Sequence, residues 1–144
     1  MRRAYTQLFI HLVWATWNRL PLITPALEQQ LYRALAKKCW DLYCVPLAVG
    51  GMVDHVHVLV QMSPAVAVAQ LVKELKGSSS HLITHVSAPG SFFKWQGAYG
   101  AVTVDPKAVS LVAHYIVQQK QHHDGDSVRN EWELSATIPP ARQA

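Results

Sequence analysis

The 144 residues are half hydrophobic and carry 13 Lys plus Arg against 9 Asp plus Glu, a formal charge of +4. That size and apolar content exclude a mainly disordered chain, and the apolar stretch 8–15, interrupted by His11, falls far short of the ~20 residues that span a bilayer. The charge is uneven: residues 1–123 hold 11 basic and 5 acidic side chains and residues 124–144 hold 2 and 4, so a +6 body precedes a −2 tail. Such a body favours polyanions, with nucleic acid ahead of membrane surfaces because no basic amphipathic helix stands out.

In chain order, residues 5–16 combine aromatic and β-branched types without a breaker and predict a first, largely buried strand. Thr24-Pro25 predicts a helix start, with Thr24 as N-cap, Pro25 in the first turn, and Leu27, Leu31 and Leu35 on one face as far as about residue 42. Cys39 and Cys44 are the only cysteines; with no secretory signal at the N-terminus they read as reduced thiols and the chain as cytoplasmic. A second strand over 43–49 is expected to pair antiparallel with a third over 53–61 across a Gly50-Gly51 turn. Ser63-Pro64 repeats the cap-plus-proline device, Val68, Leu71, Val72 and Leu75 follow at helical spacing, and Gly77 predicts the stop, with 77–80 as loop or helix break. A strand over 99–104 and a helix over 107–123, opened by Asp105-Pro106, complete the order β-α-β-β-α-β-α. This order predicts the α+β class: a ferredoxin-like sandwich, an antiparallel sheet with helices on one face, plus a further C-terminal helix. Residues 1–123 read as the domain and 124–144 as a partly ordered tail.

The third strand contains Asp54-His55-Val56-His57-Val58-Leu59-Val60, and the period of two sends both imidazoles to one face. On the last helix Tyr115 and Gln119 stack one turn apart, beside a core face of Val109, Val112, Ala113 and Ile116. Two imidazoles and an amide oxygen form a ligand set suited to Mn²⁺ or Mg²⁺, with water or phosphate oxygens completing the shell. Such an ion polarises a phosphoryl oxygen. A tyrosine phenol, activated from its ordinary pKa of about 10, can then attack phosphorus and conserve the bond energy as a phosphotyrosine. Singly, each element has a plainer explanation: His-x-His on an apolar strand is most often structural, a helical Tyr most often packs in a core, and Gln119 alone carries little information. Their conjunction carries the reading.

Five blocks in this order resemble one family. His11-Leu12-Val13-Trp14-Ala15-Thr16-Trp17-Asn18-Arg19 looks like its opening strand and turn, Asp54-His55-Val56-His57 its HUH motif, and Leu75-Lys76-Gly77-Ser78-Ser79 its helix-end signature. Trp95-Gln96-Gly97-Ala98-Tyr99-Gly100-Ala101 resembles the stretch before its last core strand, and Tyr115 to Gln119, with His122 and His123, its tyrosine helix. The family is that of the HUH single-tyrosine transposases of the insertion-sequence-200 type, including the REP-associated tyrosine transposases, and the resemblance covers about residues 5–123. Ala98 and Trp17 depart from the Gly and the polar residue common at those places.

The resemblance implies that His55, His57 and Gln119 bind the divalent ion, Mg²⁺ or Mn²⁺, with no organic cofactor, and that Tyr115 is the nucleophile. It implies a 5′-phosphotyrosine link to single-stranded DNA, recognition of subterminal hairpins, and a homodimer in which one subunit's tyrosine helix can complete the other's site. Arg19, Lys73, Lys76 and Lys94 are candidate phosphate contacts, and His122 and His123 are candidate DNA contacts, supports for the metal ligands or helix C-terminal charges. Two other readings compete. A histidine-triad nucleotide hydrolase needs a third histidine where Leu59 stands. A catalytically inactive ferredoxin-like binder of single-stranded nucleic acid would stack Trp95 or Tyr99 on bases.

Overall fold

The structure, a computed structural model, describes residues 4–119. Its four strands, β1 (Phe9–Ala15), β2 (Val45–Met52), β3 (His55–Gln61) and β4 (Gly100–Thr103), form one antiparallel sheet in the order β2-β3-β1-β4. The helices are α1 (Pro25–Asp41), α2 (Val68–Leu82) and α3 (Val109–Val117). This is the expected ferredoxin-like α+β arrangement. The helix expected over 107–123 begins as a 3-10 turn over Pro106–Ala108, and α3 itself ends at Val117, with Gln118 as its C-cap at φ −109°; His122, His123 and the tail 124–144 lie outside the described residues.

Strand alternation divides the sheet into two faces. Leu12 and Trp14 of β1 and Val56, Val58 and Val60 of β3 pack with Leu31, Leu35 and Cys39 of α1 and Leu71, Val72 and Leu75 of α2. On the other face, Ala48 and Leu59 meet Val112 and Ile116 of α3, with Val104, Val109 and Ala113 around them. Thus α1 and α2 cover one face and the tyrosine-bearing helix the other. Burial pushes the Cys39 thiol, in the larger core, up to about 12, with Cys44 adding to the effect.

Several boundaries differ from those predicted. The Gly50-Gly51 pair does not turn the chain; both lie inside β2, and the reversal falls at Val53-Asp54. The physical reason is proximity: a Cβ on Gly50 would stand 2.2 Å from the carbonyl oxygen of Ile116, and one on Gly51 equally close to that of His55. Glycine lets α3 lie directly on β2. Gly77 does not stop α2, which continues through the serines to Leu82. Their hydroxyls bond back to the preceding turn, Ser79 Oγ donating to Leu75 O at 2.7 Å, so the helix is not interrupted. Ser63-Pro64 precedes rather than caps α2: Ser63 Oγ accepts from Ala65 N–H, and the helix begins five residues after Ser63, at Val68. β1 begins at Phe9, not residue 5.

The end of α1 closes as a Schellman turn, with Cys44 N–H on Cys39 O and Tyr43 N–H on Trp40 O. Tyr43 occupies the left-handed position there at φ 60°. Among the described residues no helix is long and apolar enough to cross a membrane.

Gly50→Ala is expected to lower the unfolding free energy by about 1–3 kcal/mol, because backbone rather than a flexible side chain must give way. Gly77→Ala, exposed in the α2 interior with no atom within 4 Å of its added Cβ, is expected to raise it by up to about 1 kcal/mol. Urea unfolding of the two variants checks this; a Gly50 variant as stable as the parent would mean that α3 does not press on β2 as described.

Candidate functional site

β3 lies between β1 and β2, so His55 and His57 project from the interior of the sheet, beneath α3. Their ring centroids are 5.1 Å apart, and both are fully buried. His55 Nδ1 lies 2.8 Å from Asp54 Oδ1. Asp54 sits at the hairpin tip, where Thr16 N–H and Oγ1–H both donate to its backbone carbonyl. Its carboxyl is held below the usual carboxylate range, first by the hydrogen bond to His55 and then by the neighbouring His55 and Arg19 charges, although partial burial works the other way.

α3 supplies the other two predicted residues. Tyr115 is 3% exposed, and its ring meets that of His57 edge-on with centroids 6.3 Å apart. Gln119, just past the helix end and also buried, turns its Nε2 toward Tyr115 O at 3.4 Å and its Oε1 toward His55 Nε2 at 3.4 Å. The structure therefore brings His55, His57, Tyr115 and Gln119 into one buried cluster. A cavity of about 420 Å³ opens beside it, lined in part by Glu28, Tyr32, Gly50, Gln118 and Gln119.

The donor chemistry fits a divalent ion. A neutral His55 with its Nδ1 proton on Asp54 would turn the Nε2 lone pair toward Gln119 Oε1, an acceptor whose amide Nε2 is directed at Tyr115 O. A divalent ion between them would be met by both lone pairs. Among the described residues no three His, Cys, Asp or Glu side chains are grouped to hold a metal, and the Gln119 amide oxygen adds a donor beside the two imidazoles.

The basic residues separate. Arg19 lies at the edge of the cluster, its Nε 3.3 Å from Asp54 Oδ2 and Nη2 3.5 Å from His55 Nδ1. It is aimed there by two successive left-handed residues, Asn18 and Arg19, both at φ 52°. Lys94 Nζ stands 4.0 Å over the ring of Trp17. Lys73 is exposed on α2, and the sheet separates that helix from the histidine face. Lys76, also on α2, donates to the carbonyls of Gln96 and Ala98 at 2.7 and 3.0 Å, and burial lowers its ammonium to about 8. It ties the 96–98 loop to α2. Trp95 is buried, its indole N–H on Ser79 Oγ at 3.0 Å, which removes it as a base-stacking platform.

Sequence reasoning missed His11 as part of this site. Its Nε2 lies 2.8 Å from His57 Nδ1, and it too is buried, one strand over on β1. The signal was present as a lone polar residue within an apolar strand.

A family profile described as IS200-like transposase matches residues 4–119. A solved structure from Deinococcus radiodurans R1, of a protein assigned as a transposase, superposes with a TM-score of 0.63 at 26% identity, covering 85% of this chain and 97% of that one. A REP-associated tyrosine transposase bound to a REP hairpin gives the same TM-score at 20% identity, covering 85% and 73%, and at that identity speaks for the fold. No curated protein matches. Since the profile takes in both histidines, the tyrosine and the whole sheet, the chain belongs to the family of IS200-like transposases.

Proposed function

We propose that this transposase is a metal-dependent HUH enzyme that cleaves and rejoins single-stranded DNA through a 5′-phosphotyrosine on Tyr115. The observation that carries the reading is the convergence of His55, Gln119 and Tyr115 under α3, with the two ends of the Gln119 amide each 3.4 Å from one of the others. A bound Mg²⁺ or Mn²⁺ would supply charge neutralisation at a phosphoryl oxygen. His55, His57 and Gln119 are the residues to hold it. Asp54 orients His55 from behind, and Arg19, on the same carboxylate and 41% exposed, is placed to meet a phosphate at the rim.

In the first step the Tyr115 phenolate oxygen bonds to phosphorus and the P–O3′ bond breaks, leaving a free 3′-hydroxyl and the 5′ phosphate on tyrosine. The phenol proton passes to solvent, and the leaving 3′ oxygen takes up a proton from solvent as the hydroxyl forms. In the second, a 3′-hydroxyl attacks the phosphotyrosine, restores the phosphodiester and frees Tyr115. Bond energy is kept in the ester, so no nucleotide cofactor is consumed. Tyr115 is 3% exposed, so a strand reaches it only when α3 shifts or when the helix is presented to a second subunit, in keeping with a homodimer. The hairpin-bound relative supports terminal hairpins as the recognised DNA, with the basic body supplying phosphate contacts.

The deciding experiment incubates the protein with labelled single-stranded DNA carrying the hairpins and flanks of its own locus, with Mn²⁺, on a denaturing gel beside Tyr115→Phe. A label-bearing protein band lost in the variant and in EDTA is expected. Hairpin binding that survives both, with no adduct or cleavage under any divalent ion, would leave only the inactive single-strand-binding reading. His55→Ala and His57→Ala are each expected to lower cleavage at least about 100-fold while the circular-dichroism spectrum is kept; cleavage by both at the parent rate would remove the proposed ligands. Hairpin affinity should fall about tenfold or more between 50 and 200 mM salt, and a flat response in a filter-binding assay would argue against phosphate contacts.

A further inference from the structure

The two histidines of β3 share a face but are held from behind by different chemistry. His55 Nδ1 meets a carboxylate, Asp54 Oδ1, at 2.8 Å, and the other oxygen of that carboxylate meets Arg19. His57 Nδ1 meets another imidazole, His11 Nε2, at 2.8 Å, with ring centroids 5.0 Å apart and planes inclined by 32°. Both rings of this second pair are buried, at 1% and 0% exposure. Two facing lone pairs at that separation repel and two facing N–H groups collide, so one proton lies between the nitrogens. Cross-strand pairing sets the approach: Val13 is opposite His57 and His11 opposite Leu59, placing the two rings diagonally on one sheet face.

We propose that His11 is the positioning residue of His57. It accepts the Nδ1–H of His57 through its own Nε2, which fixes the His57 ring and holds it in the tautomer whose Nε2 lone pair is offered to a divalent ion. With Nδ1 of His57 engaged by His11, an ion would be met through Nε2. The inference rests on the metal reading of the site, and it specifies a feature beyond that reading. A ligand histidine most often donates its second N–H to a carboxylate, a carbonyl or water; here His55 follows that pattern and His57 uses a neutral imidazole instead. The two ligands are therefore unequal. His55, backed by an anion, is the more electron-rich donor, and His57 is the weaker one. His11 must itself be the Nδ1–H tautomer, since its Nε2 is the acceptor.

Two readouts on the intact protein test this. Long-range ¹H–¹⁵N imidazole spectra of the metal-free protein should show both His11 and His57 protonated on Nδ1. A His57 protonated on Nε2 would overturn the proposal, because the hydrogen bond would then run from His11. In Mn²⁺ titrations followed by electron paramagnetic resonance, His11→Phe should weaken binding about 10–100-fold, whereas His11→Gln, whose amide oxygen can reach the position of Nε2, should stay within about threefold of the parent. Parent-like Mn²⁺ binding by His11→Phe, or equal loss in both variants, would reduce His11 to a packing residue. A parent that binds no Mn²⁺ would remove the metal reading itself and the proposal with it, a result distinct from an unaffected variant.

Discussion

Every placement in the site depends on the register of β3 between β1 and β2. Val56, Val58 and Val60 commit one edge of the strand's side chains to the core under α1 and α2, and the period of two then sends His55, His57 and Leu59 to the face under α3. A slip of one residue would put two imidazoles in an apolar core and three valines beneath α3. Burying each valine contributes roughly 1.5–3 kcal/mol, an upper estimate for a compact unfolded chain. That gain holds the strand against the cost of desolvating two histidines, a cost further offset by their hydrogen bonds to Asp54 and His11.

The histidine pair is also tied to the helical layer through a continuous set of contacts. Ser79 inside α2 receives the indole N–H of Trp95, which packs edge-on against Trp14 and Phe93. Trp95 forms a bridge to Thr16, and Thr16 donates twice to the Asp54 carbonyl, next to His55. The neighbouring segment is fastened in the same way: Gln96 N–H on Ala15 O, Trp17 N–H on Lys94 O, and Asn18 N–H on Gln96 Oε1. Left-handed residues cost of the order of 1 kcal/mol each outside glycine. The Asn18-Arg19 pair at φ 52° persists because these bonds over-determine the turn, and the result is Arg19 directed back at Asp54.

The element order, the strand bearing His55 and His57, and the helix bearing Tyr115 were legible because periodicity reports which face a residue occupies, and these elements have one apolar face each. The glycines misled for a common reason. A Gly-Gly pair between two apolar runs has the composition of a turn, yet Gly50 is needed because Ile116, 66 positions away, brings its backbone against the strand, and no local pattern encodes that approach. At Gly77 the local weakness is outweighed by the packing of Leu71, Val72 and Leu75 before it and Ser79 and Ile83 after it. The lysines could not be sorted by sequence, since charge does not say on which side of the sheet a helix lies: Lys73 and Lys76 ride on α2, away from the histidines. His11 was legible as a residue and not as a partner, because its relation to His57 exists only across the β1–β3 ladder.

The two faces are unequal in strength, and that inequality bears on how a buried site could work. Among the described residues, the cluster under α1 and α2 includes seventeen buried residues and the one under α3 four: Ala48, Leu59, Val112 and Ile116. α3 seats Val112, Ile116 and Tyr115, and the two aliphatic side chains alone hold it by on the order of 3–6 kcal/mol before the entropy regained on release. Leu111 and Val117 on its outer side stay exposed and add nothing to that hold. A displacement of this size is within reach of the free energy of a protein–DNA or subunit contact, while the sheet and its two packed helices stay intact. On the proposed chemistry the division is apt: His55 and His57 belong to the rigid layer, Tyr115 to the element most easily moved, and Gln119 to the residues directly after it. Gln119 joins the two layers, its amide meeting His55 of the sheet at one end and the Tyr115 carbonyl of α3 at the other.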